Sequence, residues 1–259
     1  HTIRARERGF GKTIVLVVDH KMPEPDRDAG SRTVQAMLRA MLDAGCIVKF
    51  WPANAAYVPG YTEALQDMGV EVFHGPNPPK FEAWIAEHGR DVDVALLSRP
   101  DIAEPYLPAT RRHSTARAIY YGHDLHFRRL GTDGPAMEVR ERAIWRSVDL
   151  SLYPSDEEAL MASVMEPGAA FRSVVPYAFD RFARPRTPPD NREILFVAGF
   201  GHPPNEDAAV WFVRSVLPAI VAQIPDAHVT IAGSNPTDTI KSLAGTHVSV
   251  VGPVSPAEL

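Results

Sequence analysis

The apolar positions of the chain fall into short unbroken runs, and these alternate with longer stretches that are apolar only every third or fourth residue. "TIVLVV" (residues 13–18) is β-branched and apolar throughout, the pattern of a strand covered on both faces. After a polar loop, Val34, Met37, Leu38, Met41 and Leu42 recur at helical spacing, and Gly45 stands where a C-cap is expected. "CIVKFW" reads as the second strand. The exchange then repeats. "TEALQDM", closed by Gly69, leads to "VEVFH", and "KFEAWIAEH", closed by Gly89, leads to "DVALLS". "IAEPYLPATRRH", a helix with proline kinks, precedes "ARAIYY", and "AMEVRERAIWRS" precedes "LSLYP". "SDEEALMASVM" opens on the capping-box pair Ser155 and Glu158, and a last short strand follows in "RSVVPYAFD". Six or seven alternations within about 180 residues predict a parallel α/β sheet with right-handed crossovers.

The rhythm stops at "RFARPRTPPDNRE" (residues 181–193), which is polar, holds three prolines and has no period; it reads as a linker. It restarts with the strand "ILFVAG" and a long helix, "NEDAAVWFVRSVLPAIVAQI", expected to be N-capped by Asn205 and kinked at Pro218. "HVTIAG", "PTDTIKSLA" and "HVSVVG" continue as strand, helix and strand. "SPAEL" offers Ser255 as N-cap, Pro256 and Glu258, a helix start with no helix behind it. The expected architecture is two Rossmann-like parallel-sheet domains, residues 1–180 and 194–259, with the second truncated.

Composition narrows this picture only slightly. With 259 residues, 45% hydrophobic and 23% charged, the chain can bury a sizeable core. A formal net charge of -5 argues against nucleic acid as the main partner. The single cysteine, Cys46, excludes an internal disulfide and a cysteine-rich zinc site and fits a reducing, cytoplasmic setting. No apolar run reaches the roughly 20 residues needed to span a bilayer. The basic start "HTIRARERGFGK" lacks the apolar segment of a signal peptide, and lacks an initiator methionine, as a fragment would.

In open parallel sheets, ligands bind beyond the carboxyl ends of the strands, near the reversal of strand order. The loops that follow strands therefore hold the candidate residues. In the first, Gly30 and Ser31 are expected just before the first helix, where free N–H groups favour an anion, with Arg27 and Arg32 adding charge. A plain N-cap with solvated charges is the alternative. "GHDLH" groups His123, Asp124 and His126, which could contact a polar substrate, ligate a metal or have no role. Arg99, after "ALLS", suits a carboxylate or phosphate, or an interdomain ion pair. "GFGHPPN" supplies Gly199 and Gly201, which a diphosphate could approach, and Asn205 at a helix start. That loop lacks the third glycine of a dinucleotide fingerprint, "GFGK" precedes its strand and so is no P-loop, and no G-x-S-x-G elbow is present.

The loop "PEPDRDAGSR", then "LLSRP", "YYGHDLHF", "YPSDEEALM", "VVPYAFD", "ILFVAGFGHPPNEDAAVWFVRSVLPAI" and "HVTIAGSNP" cover nearly the whole chain in one order. In that order they resemble group 1 GT-B glycosyltransferases, glycosyltransferase family 4. The resemblance implies an N-terminal acceptor-binding domain, a C-terminal nucleotide-sugar-binding domain and chemistry in the cleft. It implies transfer with retention, no metal and no cofactor, the nucleotide-sugar being a substrate. The acceptor would be a carbohydrate or a lipid-linked molecule, which leaves peripheral contact with the inner membrane face open. By motif, Gly30 and Ser31 would lie near donor phosphates or acceptor, and Gly199 and Gly201 would border the diphosphate. His123 would be the catalytic residue facing the transferred sugar, holding a hydroxyl or stabilising charge at the anomeric carbon. Two departures stand out. The basic pair many members carry after the first strand of the second domain is replaced by "GFGHPPNED", and the family's acidic motif would lie beyond Leu259. The 259 residues alone are therefore expected to be nearly inactive. A two-lobed binding protein and a sugar-nucleotide epimerase remain the competing readings.

Overall fold

The computed structural model describes residues 11–175 and 192–254. The chain divides between Phe179 and Asp180 into two compact units. Most of the expected linker, the "PYAFD" end of the first unit and "SPAEL" lie outside the described residues. Glu193, read as the end of the linker, already opens a strand.

In the first unit the strands are β1 Ile14–Asp19, β2 Ile47–Pro52, β3 Glu71–Val72, β4 Val94–Ser98, β5 Arg117–Tyr121, β6 Leu150–Tyr153 and β7 Phe171–Ser173. They form one parallel sheet in the order β3-β2-β1-β4-β5-β6-β7. Its main helices are α1 Ala29–Asp43, α2 Tyr61–Asp67, α3 Phe81–His88, α4 Pro100–His113, α5 His126–Arg129, α6 Gly134–Ser147 and α7 Asp156–Met165. β1 shows why the strands read as continuous apolar runs: all six residues are buried, but on alternate faces. Leu16 and Val18 pack with Ile85 on α3, Ile102 on α4 and Trp145 on α6, whereas Val15 and Val17 pack with Val34 and Leu38 on α1 and Leu65 on α2. A strand sandwiched between two helical layers has no face left for polar residues. The expected strand "VEVFH" shrinks to Glu71–Val72 at the sheet edge.

Local signals hold where the competing chemistry is local. α7 begins at the expected N-cap: the Ser155 hydroxyl accepts from the Glu158 N–H at 3.2 Å, and it donates to the Glu158 carboxylate at 3.0 Å in place of the backbone bond that would complete a capping box. Ser155→Ala is expected to lower stability by about 1 kcal/mol. The check is a lower denaturant midpoint with an unchanged slope. α4 accommodates Pro105 and Pro108 inside its length.

The second unit is a three-stranded parallel sheet, β8 Glu193–Val197, β9 His228–Ala232 and β10 Val248–Gly252, in the order β10-β9-β8. Its core joins Phe200, Ala209, Leu217, Val229, Ile231, Ile240 and Val248. The single long helix expected here is three segments: α8 Pro203–Trp211, a π-helical turn Phe212–Val216 and α9 Leu217–Gln223. Pro218 has no N–H to give to the turn before it, and the helix widens into the π-helical turn ahead of it. The helix also starts at Pro203, with His202 as N-cap, so Asn205 lies inside the first turn and is not its cap. "PTDTIKSLA" contributes only the short α10, Asp238–Lys241.

Candidate functional site

The order of the first sheet reverses at β1, which pairs with β2 on one side and β4 on the other. The carboxyl ends of β1, β4 and β5 consequently adjoin, and each delivers an unusual residue. Asp19 ends β1 at 3% exposure. Its Oδ1 accepts the His20 N–H at 2.7 Å and the Arg99 Nε–H at 3.2 Å, with His20 Nδ1 at 2.9 Å. Burial pushes this carboxyl up, but the His20 hydrogen bond and the Arg99 charge outweigh it and hold the group below the usual carboxylate range. The ion pair expected between domains is thus made by Arg99 within the first unit.

The loop after β1 ends at Asp28, the N-cap of α1. Its carboxylate accepts from the Ser31 N–H at 2.6 Å, the Ser31 hydroxyl at 2.8 Å and Lys21 Nζ at 3.2 Å. Gly30 and Ser31 therefore lie inside the first helical turn rather than before it, and Ser31 is buried with its N–H already taken. The reason is local: an aspartate three residues ahead of a helical N–H is a better cap than an empty anion site. Arg32 is exposed, with its Nε on the Pro25 carbonyl at 3.3 Å. Gly30 is the point of closest approach. A Cβ there would sit 2.8 Å from Arg99 Nη2, 3.4 Å from Asp28 Oδ1 and 3.7 Å from His123 Nδ1. A residue without a side chain lets a cation, an anion and an imidazole converge on one turn of backbone.

His123 follows β5 with φ +63°, and Arg99 follows β4 with φ +73°. Two non-glycine residues in the left-handed region, after neighbouring strands, are costly conformations that the surrounding structure has to hold in place. Gly122 makes the path passable, since a Cβ on it would lie 2.3 Å from the Tyr153 ring. The His123 ring packs edge-on to Tyr121, with centroids 4.5 Å apart. Its Nε2 is buried and has no hydrogen-bond partner among the described residues. Burial pushes the imidazole down to about 3, the Arg99 charge pushes the same way, and Asp19 and Asp124 oppose incompletely. His123 is therefore neutral at neutral pH, able to accept or donate a hydrogen bond.

The rest of "GHDLH" does not join it. His126 is buried, with Nδ1 2.8 Å from Asp124 and 3.8 Å from Glu141, while Asp124 also meets Arg129 Nε at 3.3 Å. Burial pushes Asp124 up, but His126 and Arg129 bring it below its ordinary value. Among the described residues no group of three or more His, Cys, Asp or Glu is arranged to hold a metal ion. A cavity of about 630 Å³ lined by Arg39, Asp43, Cys46, Met68 and Glu71 opens at the amino ends of β2 and β3, at the opposite edge from this cluster.

In the second unit the loops after β8 and β9 bind one another. The Phe200 N–H donates to the Ser234 carbonyl at 2.9 Å, and Asn205 Nδ2 donates to the Gly199 carbonyl at 2.9 Å. Phe200 itself is core, 3% exposed, so within "GFG" it is the flanking glycines that stay accessible. Cβ positions on Gly199 and Gly201 would reach Ser234 Oγ at 3.4 Å and Asn235 Nδ2 at 3.7 Å. The helix start behind this loop is a poor anion site. Pro203 and Pro204 have no N–H, and the Asn205 N–H is bound to the His202 carbonyl at 3.0 Å.

Several of these groups carried no signal as candidates. Asp28 was legible as an aspartate three residues before Ser31, and Gly233 as the glycine of the turn "GSNP" after a strand. Asp19, Gly122, Glu141 and Tyr153 acquire their roles only through partners far away in sequence.

No protein-family model matches the chain, and no curated protein matches it. Solved structures do. The chain is similar to Anabaena HepE, solved with UDP and glucose, at 13% identity and TM-score 0.62, covering 94% of this chain and 70% of that one. It is similar to a protein assigned as a UDP-N-acetylglucosamine 2-epimerase from Listeria monocytogenes at 11% identity and TM-score 0.55, over 95% and 70% of the two chains. An O-GlcNAc transferase from Thermobaculum terrenum gives 11% identity and TM-score 0.51, over 95% and 46%. At these identities the likeness is one of fold: the protein is an α/β chain with two Rossmann-like parallel-sheet units of the GT-B type.

Proposed function

We propose that the protein is a glycosyltransferase that moves a sugar from a nucleotide-sugar donor to an acceptor with retention of configuration, as group 1, family 4 enzymes do. The observation that carries the reading is the buried, orphaned Nε2 of a neutral, half-buried His123 at the point where strand order reverses, beside Arg99, Asp28 and Gly30. A sugar hydroxyl supplies the missing hydrogen bond without requiring a proton to move. A neutral imidazole also leaves positive charge at the anomeric carbon unopposed. Arg99, bound through Nε to Asp19, keeps its Nη atoms for an anionic or hydroxyl-rich ligand. Asp124 orders the histidine loop from its other side. In this reading Gly199 and Gly201 admit the donor diphosphate to bare backbone, and Ser234 adds a hydroxyl. Residues 1–180 take the acceptor and residues 194–259 the nucleotide-sugar; no metal or other cofactor is required. HepE was solved with UDP and glucose, which supports the ligand class. The likeness to an assigned 2-epimerase favours one second reading, epimerisation of the sugar while it is still attached to its nucleotide.

A panel of nucleoside diphosphates and nucleotide-sugars tests the reading by thermal shift. At least one is expected to raise Tm, since a ligand at 100 times its Kd stabilises the native state by about 2.7 kcal/mol. No shift across the panel would overturn it. With a ligand found, release of nucleoside diphosphate on adding acceptor marks transfer, whereas a changed sugar still joined to its nucleotide marks epimerisation.

A further inference from the structure

Glu141 has 0% exposure and lies on α6, in sequence outside every loop expected to bind a ligand. A carboxylate so deeply buried is stable only with several donors aimed at it. Here the donors come from the strands and loop that frame His123. Glu141 Oε2 accepts the Phe127 N–H at 3.1 Å. Oε1 lies 3.3 Å from the Tyr120 hydroxyl and 3.4 Å from the Tyr153 hydroxyl. The Tyr153 hydroxyl already accepts from Trp145 Nε1 at 2.8 Å, so its own proton is free to point at Glu141. The same Tyr153 ring closes over Gly122. A second glutamate acts in parallel: Glu158 of α7 accepts the Leu125 N–H at 3.2 Å through Oε1, while Oε2 takes the Ser155 hydroxyl. Capping alone leaves Oε1 without a task; the loop supplies one.

We propose that Glu141 and Glu158 are positioning residues for His123, two carboxylates from successive helices that clamp the amides of Phe127 and Leu125 and hold residues 122–127 in the turn whose one left-handed residue, His123, presents the imidazole. The role of the imidazole itself rests on the transfer reading above; the clamp does not. Neither glutamate touches the reacting groups, and each acts through backbone. Hydrogen bonds from peptide N–H to carboxylate are among the stronger ones, and two on alternate residues leave a six-residue turn little freedom.

Amide hydrogen exchange on the unsubstituted protein is the first test. Leu125 and Phe127 are expected to exchange at least about 100-fold more slowly than open loop amides, as part of the stable core. Substitution is the second. Glu158→Ala should release Leu125 and shift the His123 imidazole NMR signals, with the fold intact because the Ser155 cap survives. Glu141→Leu should release Phe127 and move the same signals, whereas Glu141→Gln, which keeps an acceptor oxygen, should restore much of both. If transfer is the reaction, Glu141→Leu should lower kcat about 10-fold or more with little change in donor KM, as expected for lost orientation. Rapid exchange of both amides in the unsubstituted protein, or unmoved His123 signals in Glu158→Ala, overturns the clamp even if sugar is transferred. Protected amides and shifted signals in a protein that turns over no nucleotide-sugar uphold the clamp and overturn only the transfer reading. Should Glu141→Leu fail to fold, the unsubstituted exchange and Glu158→Ala still decide.

Discussion

Gly233→Ala is expected to unfold the second unit. Gly233 follows β9 with φ +154°, and a Cβ on it would stand 1.6 Å from the Ala198 carbonyl oxygen. That oxygen belongs to the backbone leaving β8, whose N–H is bonded to the Ala232 carbonyl at 3.0 Å, so it cannot yield without breaking the pairing of the two strands. A left-handed or otherwise glycine-only backbone and a direct overlap add together. The expected cost is above about 4 kcal/mol, a large share of what a small domain has. Gly199→Ala is the matched control, because its Cβ would meet only Ser234 Oγ, at 3.4 Å, a contact a hydroxyl can relieve by rotation. Urea unfolding followed by fluorescence of Trp211, the tryptophan of the second unit, should show that unit's transition lost in Gly233→Ala and nearly unchanged in Gly199→Ala. Equal midpoints for the two variants would remove the close packing of the β8 and β9 loops from the account.

If the proposed transfer is the reaction, His123→Ala is expected to lower kcat by about 100- to 1,000-fold, the usual loss for one pre-placed hydrogen-bonding group. The same residue makes a pH prediction of definite sign. Its folded value, about 3, lies below the ordinary 6.5. The unfolded chain therefore takes up a proton between those values and the folded chain does not. Stability from neutral His123 is complete above pH 6.5 and is lost as pH falls toward 3, with a slope of up to about 1.4 kcal/mol per pH unit. Urea midpoints at neutral and mildly acidic pH should converge in His123→Ala relative to the unsubstituted protein. The rate should show no acid limb near 6.5 from this group. A limb there that disappears in the variant would mean that the imidazole titrates near its ordinary value, and that burial and Arg99 do not hold it down.

Much of the fold was legible because parallel strands buried on both faces leave an uninterrupted apolar run, and each crossover helix carries its own period. β1 and α1 could be placed from residues 13–42 alone. The positions of the loops at the carboxyl edge followed directly, and with them Arg99, His123, Gly199 and Gly201 as residues worth naming. Boundaries decided by local competition were less legible. Asp28, not Gly30, starts α1, because its carboxylate reaches the Ser31 N–H. Pro203 and Pro204 start α8 ahead of Asn205, whose side chain serves the Gly199 carbonyl.

Taken alone, then, the sequence determined the two parallel-sheet units and which loops follow the carboxyl ends of their strands, since these arise from patterns a few residues wide. Tertiary structure alone decided which of the edge residues meet. Asp19 and Arg99 are 80 residues apart and share a hydrogen bond; Gly30 and His123 approach because neighbouring strands end side by side. Glu141 reads in the sequence as an ordinary helical charge, and becomes the anchor of a loop only because α6 turns it inward against Tyr120 and Tyr153. Contact between side chains at the ends of adjacent strands depends on strand order, and strand order is not written in any short stretch of residues.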